Sequence, residues 1–497
     1  MERGDADKPR SMHWLVGIEG FGDRGLAHNA ESLRTIDRVP SNWRGVHNNA
    51  FDPEMICIGP LSEQSDRLWV MERHKLRFLN RLLGGKLERW RSGGDMPRTS
   101  ADGERVSDDR ERKEDDDGGR IAKAALLDDF VEAMRILEEE TSACYVNNIH
   151  DRQFMPFRLC NTEVHMMVVD GCFVVELLRL YYDLVHNKIP AWAIEDDPIL
   201  TNPQILTTLR RDLLLFENQL PFFVLEKLYE LINKKNNIDH QQAVPLEELA
   251  VTFFDPLLPQ RNAASKLDTE KPKAHLLEVF RSTFLKSVSE KVAKKEKNRV
   301  KSQLNPNGSM RGLVLHFASD LQEAGMQFKK WKGHDLLDIE FSHDTLQVPP
   351  LSLNDNTISL LLNFVAYELS VNHSEPLFTN YFMFWDTLVN SPRDIQILHK
   401  HGIINNFGSA EDVAKLLMRC RQVIYDLDLG YLYDEIKEVN EYCERYYESK
   451  YRVWWRSLIR ERFSSPWTCL SLFAAIILLL LTLLQTFYTV YAYYRPH

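Results

Sequence analysis

Apolar residues recur along this chain mostly at helical spacing. Leu68 to Leu83 carries Leu68, Met71, Lys75, Phe78, Leu79 and Leu82 on one stripe, and Ile121 to Thr141 carries Leu126, Phe130, Met134 and Leu137, with Glu138 to Glu140 toward water. Two blocks are denser. Met166 to Leu178, opened by a cap at Asn161 or Thr162, leaves almost no polar face apart from Asp170 and Glu176, which predicts a central buried helix. Asp212 to Leu231 is apolar nearly all round but is interrupted by Pro221, which predicts a kink or a fresh helix start. Helices are predicted again over Leu246 to Phe254 and Gly312 to Ala324. Leu337, Ile339 and Phe341, then Leu346 and Val348, alternate around Ser342 to Thr345, the pattern of a small β-hairpin. Four further helices follow: Thr357 to Ser370, Phe378 to Asn390, Arg393 to His401 closed by Gly402, and one opening at Ser409. A last long helix spans Tyr431 to Phe463. The fold class is mainly α-helical with a small β-hairpin: one large helical domain plus a single C-terminal transmembrane helix.

That final helix is predicted over 466–494. Between Arg462 and Arg495 lie 32 consecutive residues without a charge, where about 20 apolar residues suffice to cross the hydrocarbon of a bilayer. Leu478 and Leu480 lie in its aliphatic middle, with Trp467 at one end and Tyr491 among the aromatics at the other, the composition of interfacial belts. Lys450, Arg452, Arg456, Arg460 and Arg462 precede it, and positive charge beside a span marks the cytoplasmic face. Since Met1 to Arg10 is charged with no apolar stretch after it, no signal peptide is expected. The localisation expected is a tail-anchored single-pass membrane protein with its large N-terminal domain in the cytosol, at the plasma membrane or an endomembrane.

Three stretches break the helical rhythm. Residues 1–50, with Gly17, Gly20, Gly22 and Gly25, read as a flexible leader, because the glycine spacing is not that of a dinucleotide-binding turn. Order is expected to begin near Phe51, with Ile56 to Pro60 as a short strand closed by Gly-Pro. Residues 93–120 form an acidic insert: Asp95 to Arg120 holds ten acids and six bases with almost nothing apolar, so disorder is expected. Residues 286–310 form a basic loop, with seven bases between Lys286 and Lys301. The domain proper is therefore read as 51–462.

Net charge of −11 argues against general nucleic-acid binding, because affinity for phosphate comes chiefly from Lys and Arg. Seven cysteines without a CxxC pair fit a reducing compartment, and no structural metal or cofactor is expected.

Candidate chemistry centres on two stretches. Asp170-Gly171-Cys172-Phe173 places a carboxylate and a glycine inside the predicted core helix, where glycine costs about 1 kcal/mol and a buried carboxylate needs partners. Glu217-Asn218-Gln219, between Asp212 and Pro221, offers side chains to backbone groups freed by the proline. A hydrolase could pair Asp170 or Glu217 with His165, but no nucleophile elbow, HExxH, phosphate loop or kinase signature occurs, and His165 and Asp170 do not share a helix face. Satisfaction of buried backbone is the preferred reading, so the chain is not expected to be an enzyme.

Phe51-x-Pro53, Ile58-Gly59-Pro60, Met71-Glu72, Val169 to Phe173, Asp212 with Glu217-Asn218-Gln219-x-Pro221-Phe222-Phe223, Pro349-Pro350 and Pro466-Trp467 with the span resemble the plant domain-of-unknown-function 247 family. The resemblance runs from about Phe51 to Tyr494 and departs from the family pattern in the acidic insert and the leader. It implies a plant membrane-anchored protein without an established activity, and an association of some grass members with pollen–stigma self-incompatibility. The expected function is protein–protein recognition or signalling at a membrane, with the lipid bilayer and an unidentified protein as partners; nothing in the sequence sets the oligomeric state. The alternatives are a hydrolase-like enzyme with a carboxylate pocket and a lipid-binding module.

Overall fold

The apolar run around Asp170 folds into one helix, Glu163–Val185, whose buried residues go all round its axis from Val164 to Leu180. Such a helix needs neighbours on every side, and the rest of the chain supplies them. The helices in chain order are α1 (Ser41–Arg44), α2 (Trp69–Leu82), α3 (125–136), α4 (Glu138–Ala143), α5 (Glu163–Val185), α6 (Pro203–Asp212), α7 (Phe222–Lys235) and α8 (Leu246–Phe254). There follow α9 (276–285), α10 (Ala318–Glu323), α11 (Asp355–Ser370), α12 (Leu377–Leu388), α13 (Pro392–Lys400), α14 (Ala410–Arg421), α15 (Tyr433–Glu448) and α16 (Pro466–Tyr494). This is a computed structural model, and the residues it describes are 36–47, 49–61, 68–84, 125–145, 163–190, 195, 197–238, 243–258, 272–285, 288, 316–331, 336–371, 375–405, 408–421, 430–448 and 466–494.

Helix α5 is enclosed by α2, α7 and α8. Phe173 of α5 meets Phe78 of α2 with ring centroids 5.0 Å apart. Gly171 lets α7 approach, since a Cβ there would lie 2.4 Å from a Leu228 methyl. A second layer is built by α11 to α15, and one continuous apolar core runs from Val39 to Tyr446. The layers are joined by ion pairs as well as by packing. Arg281 of α9 donates Nε and Nη2 to Glu368 Oε1 of α11 at 2.9 and 2.8 Å, while Glu368 accepts the Phe378 and Thr379 N–H groups that open α12. One buried carboxylate thereby neutralises a cation and caps a helix.

The predicted hairpin is present as β2 (Glu340–Ser342) paired antiparallel with β3 (Thr345–Val348), its turn held by His343 at φ 59°. It belongs to a three-stranded sheet, because β1 (Gln327–Lys330) pairs parallel with β3, and β4 (Leu351–Ser352) pairs parallel with β5 (Ile404–Asn405). β1 alternates around the single buried Phe328 with lysines outward, the polar dress of an edge strand.

The packed region starts earlier than a leader over 1–50 would allow. Ile36, Val39, Trp43 and Val46 are all buried, and Trp43 sits in α1. Residues 93–120, and all of 286–310 except the buried Val288, lie outside the described residues, as do the Gly17 to Gly25 stretch, the cap at Asn161 or Thr162 and the segment 449–465. Helix α16 is long and apolar enough to cross a membrane, and none of Leu470–Tyr491 is buried against the rest of the chain.

Asp197 fixes the connection between α5 and α6 onto α2. It accepts Arg77 Nη2 at 3.0 Å, Arg81 Nη2 at 2.6 Å and the Ile199 N–H at 3.0 Å. Burial pushes its carboxyl up, but the hydrogen bond and charge of Arg81, with Arg77 and the Ile199 N–H, outweigh it and hold the group below the ordinary carboxylate range. A depressed folded-state value stabilises the ionised form. Asp197 therefore adds stability that is complete above about pH 4 and disappears as pH falls through the depressed value. The melting temperature measured from about pH 6 down to about pH 2 is expected to fall less steeply in Asp197→Asn than in the parent; parallel curves would refute this.

Candidate functional site

Helix α6 starts from Asn202, whose Oδ1 accepts the Gln204 N–H at 2.9 Å with Pro203 in the first turn, and it ends at Asp212. The chain re-enters a helix only at Phe222, with Pro221 at φ −56° as the cap of α7. Of the two outcomes open at Pro221, the fresh start is the one adopted. The connection Leu213 to Leu220 is completely buried, which is uncommon for a loop because its backbone groups still need partners.

Those partners come from the motif. Gln219 donates Nε2 to the carbonyls of Leu213 and Leu215, at 2.9 and 2.8 Å, closing the frayed end of α6, and accepts the Leu277 N–H at the start of α9 at 3.3 Å. The Phe216 N–H goes to Asn363 Oδ1 of α11 at 2.8 Å, and the Phe222 N–H to the Ala274 carbonyl at 2.7 Å.

The remaining motif side chains grip the N-terminal segment, 36–61. Asp212 accepts the N–H groups of Glu54, Met55 and Ile56 at 3.1, 2.7 and 3.0 Å, plus Arg211 Nη1 at 2.7 Å. Burial pushes its carboxyl above the ordinary range despite the pull of those N–H groups and of Arg211. Arg211 also holds the carbonyls of Asp52 and Asn49. Asn218 accepts the Ile58 N–H at 2.7 Å and donates to the Ile56 carbonyl at 3.0 Å. The stretch read as a strand is thus extended chain whose ladder partner is a side-chain amide. Glu217 accepts the Val39 N–H and Arg44 Nη2, both at 2.6 Å.

Asp170 closes the assembly from below. Its Oδ2 accepts the Gly59 N–H at 3.1 Å, and its Oδ1 pairs with Lys75 Nζ at 2.7 Å. Lys75 is wholly buried, and its Nζ also donates to Glu72 Oε1 at 2.6 Å and to the Cys57 carbonyl at 2.5 Å. Gly59 has φ +67°, and a Cβ there would stand 2.3 Å from the Gln219 carbonyl oxygen, so the strap can lie this close only with glycine. Tyr145 donates its hydroxyl to that same carbonyl at 3.0 Å.

The side chains of Asp170, Asp212, Glu217 and Asn218 therefore converge on one strap, the N-terminal segment, while the Gln219 side chain holds the buried loop and its carbonyl lies against Gly59, with Pro221 setting the loop's exit. Gly171, Cys172 and Phe173 serve the packing of α5. Cys172 is fully buried, and burial followed by Glu176 pushes its thiol far above the ordinary range, which suppresses the thiolate a nucleophile requires. His165 is exposed at the start of α5, while Asp170 is buried inside it. A surface cleft of ≈ 400 Å³ beside Val46 and Arg419 is lined by neither Asp170 nor Glu217. Among the described residues no cluster of His, Cys, Asp or Glu is placed to hold a metal ion. Lys75 and Arg211 are the members that sequence reasoning missed as site residues; a lysine at a core position of an apolar stripe was the available signal. Leu478, Leu480 and Tyr491 are exposed on α16, whereas the Trp467 side chain lies outside what is described.

A buried polar lock on a helical body that also carries one apolar C-terminal helix defines a class, the helical protein with a candidate single span. The family described as plant protein of unknown function, DUF247, matches residues 36–481, and the chain belongs to it. Two relatives from Arabidopsis thaliana align with most of this chain: the UPF0481 protein At3g47200 is 28% identical over 473 residues, covering 92% of this chain and 86% of its own. The putative UPF0481 protein At3g02645 is 22% identical over 560 residues, covering 96% and 95%. No solved structure matches.

Proposed function

We propose that this protein is a membrane-anchored recognition component that works by protein–protein contact, its large domain on the cytosolic face. The observation that carries this reading is the engagement of the motif carboxylates: Asp170, Asp212 and Glu217 are each bonded to backbone N–H groups and to a buried or half-buried cation. Groups so held fix a fold, whereas a general acid or base must face a substrate. The basic residues Lys450 to Arg462 support the orientation. Pollen–stigma recognition is one form such a role takes, and it rests on family resemblance alone.

The test is affinity capture of the tagged full-length protein from detergent-solubilised plant membranes beside a variant ending at Arg462. A specific partner, bound near stoichiometrically by both forms, is expected. Failure of both forms to retain any protein above background would sink the reading.

A further inference from the structure

Polar residues in α16 are not scattered. Ser471, Ala475, Leu478, Thr482, Gln485 and Thr489 follow one another at spacings of four, three, four, three and four. That is a heptad seam, the 3.5-residue repeat along which two helices supercoil. All but Leu478 are small or polar. The rest of the girth is mostly bulky and apolar, with Phe473, Ile476, Leu480, Leu483, Leu484 and Phe487 each from 49 to 66% exposed and Ala474 and Thr486 the smaller side chains between them.

Within the seam one side chain stands apart. Thr482 and Thr489 on it, and Thr486 beside it, each donate their hydroxyl to the carbonyl four residues earlier, at 2.8, 2.8 and 2.7 Å, so their polarity is absorbed by the helix itself. Gln485 is too long for that bond, and no described contact engages its amide. At 1.5 Å per residue it lies about 22 Å from Leu470 and about 9 Å from Tyr491, inside the hydrocarbon of a centred span. An amide facing lipid is costly.

We propose that α16 pairs with a second copy of itself, in parallel, along this seam, with the two Gln485 side chains hydrogen-bonded to each other. The second copy is singled out by the chemistry of the group. An amide is at once donor and acceptor, so two of them at equal depth related by a two-fold axis satisfy each other reciprocally. Copies inserted with the same orientation are parallel and bring Gln485 to Gln485 automatically. Small residues along the seam let the backbones approach, and a single polar position fixes register. The proposal rests on α16 crossing a membrane.

The experiment uses the full chain in membranes with Cys469→Ala as background. Thr482→Cys and Thr489→Cys, on the seam, are compared with Leu480→Cys and Leu483→Cys, off it, under mild oxidation. Two differently tagged copies are co-expressed in parallel and captured through one tag, as parent, Gln485→Leu and Gln485→Asn. Disulfide-linked dimers are expected at 482 and 489 and not at 480 and 483. Co-capture is expected to fall about five-fold in Gln485→Leu and to persist in Gln485→Asn. A carbonate wash of the same membranes separates the two ways of failing. Protein that washes off overturns the span and the pairing together. Protein that stays but cross-links without heptad preference, or co-captures equally as Gln485→Leu, overturns the pairing alone, as does cross-linking of the seam cysteines to a different protein.

Discussion

Asp212→Ala is expected to cost on the order of 5 kcal/mol, about a third or more of the stability of a typical domain. The substitution strips an acceptor from three successive N–H groups, those of Glu54, Met55 and Ile56, each in or near the core. A buried donor left without a partner costs about 1 to 3 kcal/mol. Arg211, only 4% exposed, simultaneously loses its 2.7 Å counter-charge. Asp212→Asn keeps an acceptor oxygen and is neutral; because burial already holds the native carboxyl above its ordinary range, this variant is expected to lose clearly less. Denaturant midpoints of the full-length chain in detergent decide the matter. An Asp212→Ala protein within about 1 kcal/mol of the parent would show that the strap is not held from here.

Lys75→Met is the second large effect, expected at about 3 to 5 kcal/mol. Methionine fits the volume, but removing the ammonium leaves Glu72 and Asp170 facing each other in a place where each is 2% exposed. Two carboxylates that lose the cation they share repel in low dielectric and are poorly solvated. Asp170→Asn keeps Lys75 paired with Glu72 and still offers an oxygen to Gly59, so the order of damage should be Lys75→Met, then Asp170→Asn, then parent. Thermal unfolding of the three proteins checks that order, and its reversal would contradict the assignment of Lys75 as the central cation.

The elements with a clean period were legible in the sequence. Leu246–Phe254 and Pro466–Tyr494 have the bounds their patterns predict, and the helices α11 to α14 agree with expectation to within one or two residues at most of their ends. β1 was not legible, because Gln327–Lys330 has one apolar residue and acquires its strand character from β3. The N-terminal boundary was misplaced for a related reason. Ile36, Val39, Trp43 and Val46 stand three, four and three apart, yet only Ser41–Arg44 is helical, so the spacing alone does not announce the structure; what orders the segment is a set of contacts to residues such as Glu217, 178 positions away from Val39. Within the site, the service of Gln219 to backbone near Pro221 accords with the reading made from the proline, whereas Glu217 and Asn218 turn chiefly to Val39, Ile56 and Ile58. The strap was not, since no local pattern announces that Asp212 will meet Glu54 to Ile56. The roles of Gly59 and Lys75 become intelligible only once the strap is in place.

The same separation has a consequence for biosynthesis. The strap leaves the ribosome first, and its clamp, Asp212 and Asn218, is encoded 158 to 160 residues later. At about 5 to 20 residues per second, the backbone donors of Glu54 to Ile58 wait on the order of ten to thirty seconds for their acceptors. Throughout that interval Trp43, Phe51 and Ile56, all core residues of the finished molecule, lack the clamp that holds their segment in place. Lesions in the clamp should therefore also lower yield, through capture of the nascent chain by chaperones and proteases, beside the stability loss that the folded fraction shows.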